Sequence, residues 1–267
     1  MKLSKTRFNP FNYHFFRIYI YHPLLFFLNI FRYPKGTLKL LMQTFSSNHY
    51  SVYGLKITSP RKIDKYFFAN LNTKFNSFIL EKYEVNEKEL IEKYLNKNDI
   101  VLELGGCMGV VSLLINNILN KKEGHIVIEI DSNKFEYLQL NRKLNNGKFK
   151  ILNGALSNNS NLYYKESHNF WGGKMVEHKT SKPIKTYNLS DLEHKFNLKF
   201  NTLVMDIEGG EVEVIEELNL IRFDKLLFEI HFAREKNQYK TIEKKLKDNN
   251  FTQKESYGRV EYWQRVK

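Results

Sequence analysis

The stretch Ile100-Val101-Leu102-Glu103-Leu104-Gly105-Gly106-Cys107-Met108-Gly109 decides how the chain is read. Residues 100–104 form an apolar run broken only by Glu103, the pattern of a parallel strand buried on both faces. Glycines follow where the strand must turn, and Val110 to Leu119 supply a helix. Glycine takes backbone conformations closed to other residues and lets the chain approach a ligand closely. The start of a helix offers unpaired N–H groups and the positive end of a dipole. Together these make a nucleotide-type binding loop, with Gly105, Gly106 and Gly109 as its backbone and Glu103 as its acidic member. The dinucleotide fingerprint Gly-x-Gly-x-x-Gly is not met, because Cys107 and Val110 stand where its later glycines would fall.

Downstream, His125 to Ile130 reads as a second buried strand ending at Asp131, which lies 22 residues past Gly109. In dinucleotide folds an acidic residue at about this distance accepts the ribose hydroxyls, and a carboxylate can take both through its two oxygens. Position and strand order favour Asp131 for that role. The other readings are that Asp131 only caps the following helix, or that Glu129, two residues earlier on the same face, is the ribose ligand. Ser132-Asn133 is an acceptable cap for that helix, expected over 134–144. A third strand, Phe149 to Leu152, runs into Asn153-Gly154-Ala155. Asn153 and Ala155 suit an adenine edge and the approach of its ring; a plain turn is the alternative. Residues 161–167 and 184–189 are expected to pair across a glycine hinge at Trp171-Gly172-Gly173, shaping a substrate pocket.

The next chemical stretch is Thr202-Leu203-Val204-Met205-Asp206-Ile207-Glu208-Gly209-Gly210-Glu211, a buried strand running into carboxylates and glycines. Buried carboxylates are costly unless paired or used. Strand alternation puts Asp206 and Glu208 on one side if the strand continues. Lys225 to Phe232 then forms a fifth strand carrying Glu229 and His231 at its carboxyl end, where ligands bind in such sheets. Glu208 and Glu211 could instead cap the helix that follows them. Phe251 to Ser256 and Arg259 to Val266, joined by Tyr257-Gly258, read as a closing β-hairpin.

The chain of 267 residues is long enough for one α/β domain with an N-terminal extension, and its 42% hydrophobic content excludes wholesale disorder. The expected division is a basic, aromatic extension over 1–49, a lead-in over 50–99 containing a strand at 50–58 and a helix at 87–95, and the binding domain over 100–267. Cys107 is the single cysteine, so no internal disulfide forms and nothing argues for an oxidising compartment; a cytoplasmic location is expected. The net charge is +13, yet ten basic residues precede the first acidic one, Asp64, leaving +3 for the rest. Within the extension, residues 15–31 (FFRIYIYHPLLFFLNIF) are apolar but interrupted by Arg17, His22, Pro23 and Asn29. A spanning helix needs about 20 apolar residues with few charges. The segment is read as packing on the domain or lying at a membrane surface, the latter giving peripheral attachment.

The segments ELGGCMG (103–109), EID (129–131), GALS (154–157), MDIEGGE (205–211) and FEIH (228–231) together resemble the FkbM family of S-adenosylmethionine (SAM)-dependent methyltransferases, over residues 80–235. The family's usual Lys before Asp-x-Glu-Gly is Met205 here, and Gly106-Cys107 replace a usual Ala-Asn. The resemblance implies a Rossmann-like class I methyltransferase fold, with a mostly parallel sheet and a C-terminal antiparallel hairpin. It implies SAM as cofactor, held by Glu103, Gly105, Gly106, Gly109, Asp131, Asn153 and Ala155.

It also implies methyl transfer, commonly to oxygen, on a sugar, glycolipid or other small-molecule or polysaccharide acceptor. A hydroxyl acceptor must lose its proton, which makes Asp206, Glu208 and His231 the candidate bases. A divalent ion between Asp206 and Glu229 or His231 fits the ligand chemistry, but no tight cluster in the sequence supports one, and no metal is expected. An RNA methyltransferase using the basic extension and a non-catalytic SAM-fold scaffold are the competing readings. No nucleic-acid partner is expected, since the positive charge lies outside the catalytic core and no Asn/Asp-Pro-Pro-aromatic motif is present.

Overall fold

A computed structural model describes residues 50–58, 83–166, 173–176, 182–231 and 237–266. The extension over 1–49, with its aromatic segment 15–31, and the hinge residues Trp171-Gly172 lie outside the described residues. The chain divides into two compact units, Met1–Tyr83 and Glu84–Lys267.

In the first unit, β1 (Tyr50–Val52) and β2 (Leu55–Ile57) pair as an antiparallel hairpin. One continuous strand is expected over 50–58; the chain instead reverses at Tyr53-Gly54, both with positive φ. That two-residue geometry matches the twist of the flanking strands. Val52 and Ile57 are fully buried, and the Tyr53 hydroxyl donates to the Tyr83 carbonyl.

The second unit opens with α1 (Val85–Tyr94), β3 (Val101–Leu104), α2 (Val110–Ile118), β4 (His125–Glu129), α3 (Ser132–Leu144) and β5 (Lys150–Asn153). A run of short strands follows: β6 (Ala155–Leu156), β7 (Tyr163–Glu166), β8 (Gly173–Val176), β9 (Lys182–Pro183) and β10 (Thr186–Tyr187). The chain then forms α4 (Leu189–Phe196), β11 (Thr202–Met205), α5 (Glu211–Glu217), β12 (Lys225–Glu229), α6 (Gln238–Asp248), β13 (Phe251–Tyr257) and β14 (Val260–Arg265). The main sheet has seven strands in the order β13-β14-β12-β11-β3-β4-β5. β5, β4, β3, β11 and β12 run parallel, and β14 enters antiparallel between β12 and β13. The C-terminal hairpin is therefore as expected, but it closes the sheet edge with its later strand on the inside.

Both faces of this sheet are covered, which is why its strands are almost wholly apolar. Leu102, Leu104, Ile126, Ile128, Leu203, Met205, Leu226 and Phe228 face a core with Ile215, Ile242 and Trp263. Val101, Val204 and Leu227 point the other way, against Leu90 and Ile91 of α1, Ile115 of α2 and Tyr262. The alternation along each strand assigns these two sets. Because Leu90 and Ile91 are buried in that second core, α1 belongs to the sheet unit. Both residues lie in the unit Glu84–Lys267.

Three local departures have local reasons. The cap of α3 is Asp131, whose Oδ1 accepts from the Asn133 N–H at 2.8 Å, rather than Ser132-Asn133. Residues 163–166 pair with 173–176 and 182–183, and of the expected pairing between 161–167 and 184–189 the Ile184 N–H donating to the Leu162 carbonyl at 3.1 Å is seen, while β10 runs parallel to β6. Helix α4, absent from the sequence reading, starts at Asn188, whose side chain accepts from the Asp191 N–H.

Candidate active site

The strand order reverses between β3 and β11, and an open parallel sheet binds ligands at the carboxyl ends of its strands at such a point. At this place the chain is locked tightly. The Asp206 N–H donates to the Leu104 carbonyl at 3.0 Å, and the Gly105 N–H donates to the Ile128 carbonyl at 2.9 Å. Gly105 has φ +88°, and a Cβ there would lie 1.8 Å from the Asp206 carbonyl oxygen. Only glycine lets β3 leave the sheet this close to β11. Gly109, φ +85°, is the N-cap of α2, and Cys107 between them is also left-handed at φ +46°. Gly106 lies against Val127 and Leu138, where a Cβ would be within 2.7 Å of side-chain carbons. All three expected loop glycines thus turn the chain into α2.

The acidic residues of the cofactor side have different surroundings. Glu103 is buried, with Oε1 accepting from the Ser112 hydroxyl at 2.6 Å and Oε2 2.7 Å from His125 Nε2. Both of its oxygens are engaged inside the sheet, so it ties β3 to β4 and α2. Glu129, at the end of β4, is also buried; Oε2 accepts from the Cys107 N–H and Oε1 from the Asp131 N–H, both at 2.8 Å. Burial pushes its carboxyl above the usual range. Asp131 caps α3 through Oδ1, while its Oδ2 is 3.3 Å from the Tyr164 hydroxyl that donates to it. Glu129 thus links the glycine loop to the backbone of Asp131 through both of its oxygens.

Asn153 donates its amide to the Glu129 carbonyl at 2.8 Å, joining the ends of β4 and β5. Ala155 lies buried in β6, its N–H donating to the Lys185 carbonyl at 2.9 Å. Lys134 escapes the sequence reading altogether. It is buried in the first turn of α3 among Cys107, Glu129, Asp131 and Glu208. Burial alone lowers its pKa, but those four groups together raise it, so it stays charged. A lysine in a polar-rich helix carries no sequence signal that it faces inward.

At the ends of β11 and β12 the three candidate bases converge as expected. His231 Nε2 lies 3.5 Å from Glu208 Oε2 and 3.8 Å from Asp206 Oδ1. It is also 3.5 Å from Glu229 Oε2. The other ring nitrogen, Nδ1, is 3.0 Å from Glu211 Oε1. Glu211 is fully buried at the start of α5, and the same oxygen accepts from the Gly209 N–H. Glu208 reaches the cluster from a left-handed backbone at φ +57°, a conformation that costs a residue with a Cβ roughly 1–3 kcal/mol and gathers at functional sites. Asp206 is a third exposed, yet its Oδ1 is sealed from solvent without a hydrogen-bond partner among the described residues. Its carboxyl is held well above the usual range by burial, and further by Glu229.

Glu87, in the first turn of α1, joins this electrostatic neighbourhood. Burial raises its carboxyl to about 7, and the charges of Glu229 and His231 act on it in opposite directions. Its sequence position, on a helix read only as a lead-in, points to nothing of the kind. Glu229 and Glu211 have sequence signals, the strand end and the helix start, but neither is separable there from an ordinary solvated carboxylate.

A seven-stranded sheet with this order, a glycine loop leaving β3 and carboxylates at the end of β4 define a class I methyltransferase. The profile of the Methyltransferase FkbM domain matches residues 103–252, and the chain belongs to that family. No curated protein matches the chain. Among solved structures it is similar to a methyltransferase from Pyrococcus furiosus, with 13% identity, 88% of this chain and 96% of that chain covered, and a TM-score of 0.46. It is also similar to the ribosomal protein L11 methylase of Lactobacillus delbrueckii subsp. bulgaricus, at 17% identity, coverages of 69% and 80%, and a TM-score of 0.43. A third similar structure is Aeropyrum pernix fibrillarin with natively bound S-adenosyl-L-methionine, at 12% identity, coverages of 67% and 76%, and a TM-score of 0.42.

The cofactor of this family is SAM, and the residues present fit it. The left-handed turn at Gly105, Cys107 and Gly109 leads directly into α2, whose first-turn N–H groups have no partner within the helix, and the carboxylates of Glu129 and Asp131 stand at the end of the neighbouring strand. Among the described residues no helix is long and apolar enough to cross a membrane.

Proposed function

We propose that this SAM-dependent methyltransferase methylates a hydroxyl oxygen on a saccharide, glycolipid or other small-molecule acceptor, with residues 1–49 making peripheral contact with a membrane surface. The observation that supports it is the group Asp206, Glu208 and His231 at the carboxyl ends of β11 and β12, next to the glycine loop. SAM supplies a methyl group on a sulfonium, already electrophilic. What remains for the protein is to orient the acceptor in line with that methyl and to remove a proton from its oxygen. The carboxylates of Asp206 and Glu208 are proton acceptors within 3.8 Å of the imidazole. Glu211 holds the ring from behind through Nδ1.

The test is transfer of label from methyl-labelled SAM to panels of glycans, glycolipids, small alcohols and RNA. Label in an alkali-stable ether on a hydroxyl acceptor is expected. Incorporation into RNA alone would replace this reading with the nucleic-acid one, and SAM binding without transfer to any acceptor would favour a scaffold.

A further inference from the structure

We propose that Asp206, Glu229 and His231 form a binding site for a divalent cation of the Mn2+ type. One oxygen from each carboxylate and one ring nitrogen lie within 4.8 Å of one another. They come from the ends of two adjacent parallel strands, so the sheet itself holds the donors together. Cis donors on an ion with bonds of about 2.1 Å lie roughly 3 Å apart, so modest closure of the 3.5 Å and 3.8 Å separations completes the site. Glu208 Oε2, 3.5 Å from the same nitrogen, is placed as a fourth donor or as the partner of a bound water.

Two further observations point to an ion. The first is the arrangement behind the histidine. Glu211 Oε1 takes Nδ1 at 3.0 Å, which leaves Nε2 turned toward three carboxylates. A carboxylate that fixes one ring nitrogen while the other faces a metal is the usual support of a ligating histidine. The second is the pair of orphaned oxygens: Asp206 Oδ1 and Glu211 Oε2 are sealed from solvent and have no hydrogen-bond partner among the described residues. Glu211 has only 1% of its side chain exposed. Buried polar atoms left this way are costly, and a dication among several carboxylates removes most of that cost.

The donor set selects the ion. Carboxylates suit Mg2+, Ca2+ and Mn2+, whereas imidazole suits the later transition ions; Mn2+ accepts both, as do Fe2+ and Zn2+, and the carboxylate majority favours the harder Mn2+. Under the methyl-transfer reading, on which this step alone rests, an acceptor hydroxyl taking an open position on the ion is acidified there.

The experiment is a titration of the chelator-treated full chain with MnCl2, without SAM or acceptor, followed by electron paramagnetic resonance of free Mn2+ and by calorimetry. One ion per chain is expected, with a raised melting temperature on binding. Asp206→Asn and Glu229→Gln are each expected to weaken binding at least tenfold, and Glu211→Gln by about 10–100-fold, while the exposed control Glu136→Gln leaves it unchanged. Variants are compared only if circular dichroism and melting show them folded; His231→Gln is the substitute where one is not. Absence of Mn2+ binding by the folded wild-type chain overturns the site, as does binding undiminished in the ligand variants. Since no turnover is read, failure to find a methyl acceptor leaves the result standing.

Discussion

His231 gathers more of the site's chemistry than any other side chain. Burial alone lowers the pKa of its imidazole, but the hydrogen bond to Glu211 and the charges of Asp206, Glu229 and Glu208 outweigh that and raise it to about 9. At neutral pH the metal-free ring therefore carries its second proton and is an acid. Under the proposed oxygen methylation, base work then falls to Asp206 or Glu208, unless an ion takes the place of that proton. The linkage has a definite sign. The folded value lies above the ordinary 6.5, so the stability this contributes is complete below pH 6.5 and is lost as pH climbs through about 9. Nuclear magnetic resonance titration of the His231 ring in chelator-treated protein should give a midpoint near 9, and Glu211→Gln should lower it. A midpoint near 6.5 in the wild type would show that the carboxylates do not act on the ring as this geometry requires.

At the scale of elements, α1 shows how a helix can be amphipathic and still turn a charge inward. Leu90 and Ile91 bury against the sheet, and the same face carries Glu87 inward, one turn earlier, with only 6% of its surface exposed. Burial raises its carboxyl to about 7. The folded chain thus keeps a proton that the unfolded chain releases near 4.5. The cost of ionising Glu87 is absent below pH 4.5, grows between 4.5 and 7, and is constant above. Glu87→Gln, neutral at every pH, should match the wild type in stability at pH 4 and exceed it by roughly 3 kcal/mol at pH 8, by the conversion of pKa to free energy. Urea denaturation at the two pH values decides it; an equal effect at both would place the Glu87 carboxyl in water.

At the scale of the molecule, both apolar cores lie within Glu84–Lys267. Burial of a leucine or valine side chain is worth roughly 1.5–3 kcal/mol, and many fully buried ones lie in this unit. Residues 84–267 expressed alone should melt cooperatively and bind SAM with the affinity of the full chain. Calorimetry on the fragment checks both. A molten fragment would mean that Met1–Tyr83 supplies part of the core. The unit also shows why the charge of the chain says little about its catalysis, because most of the excess lies before Asp64.

Periodicity and glycine spacing alone were enough for the parallel sheet, the glycine loop and the closing hairpin. A strand buried on both faces has to be apolar throughout, and a sharp strand-to-helix turn has to carry glycine, so those demands are written into consecutive residues. The convergence of Asp206, Glu208 and His231 was legible for a related reason: Asp206 and Glu208 lie just past the end of β11 and His231 just past that of β12, and adjacent parallel strands bring their ends to one edge. Other decisions needed the third dimension. Whether Glu103 meets a ligand or Ser112 and His125, and whether Asp131 caps α3, depends on which donors lie opposite once the strands are in register. The inward turn of Glu87 and Lys134, and the approach of Glu211 to the His231 imidazole, arise between residues well separated in the chain. Distance in space between such residues leaves no period in the sequence, and it is that distance that turns ordinary carboxylates into a candidate metal site.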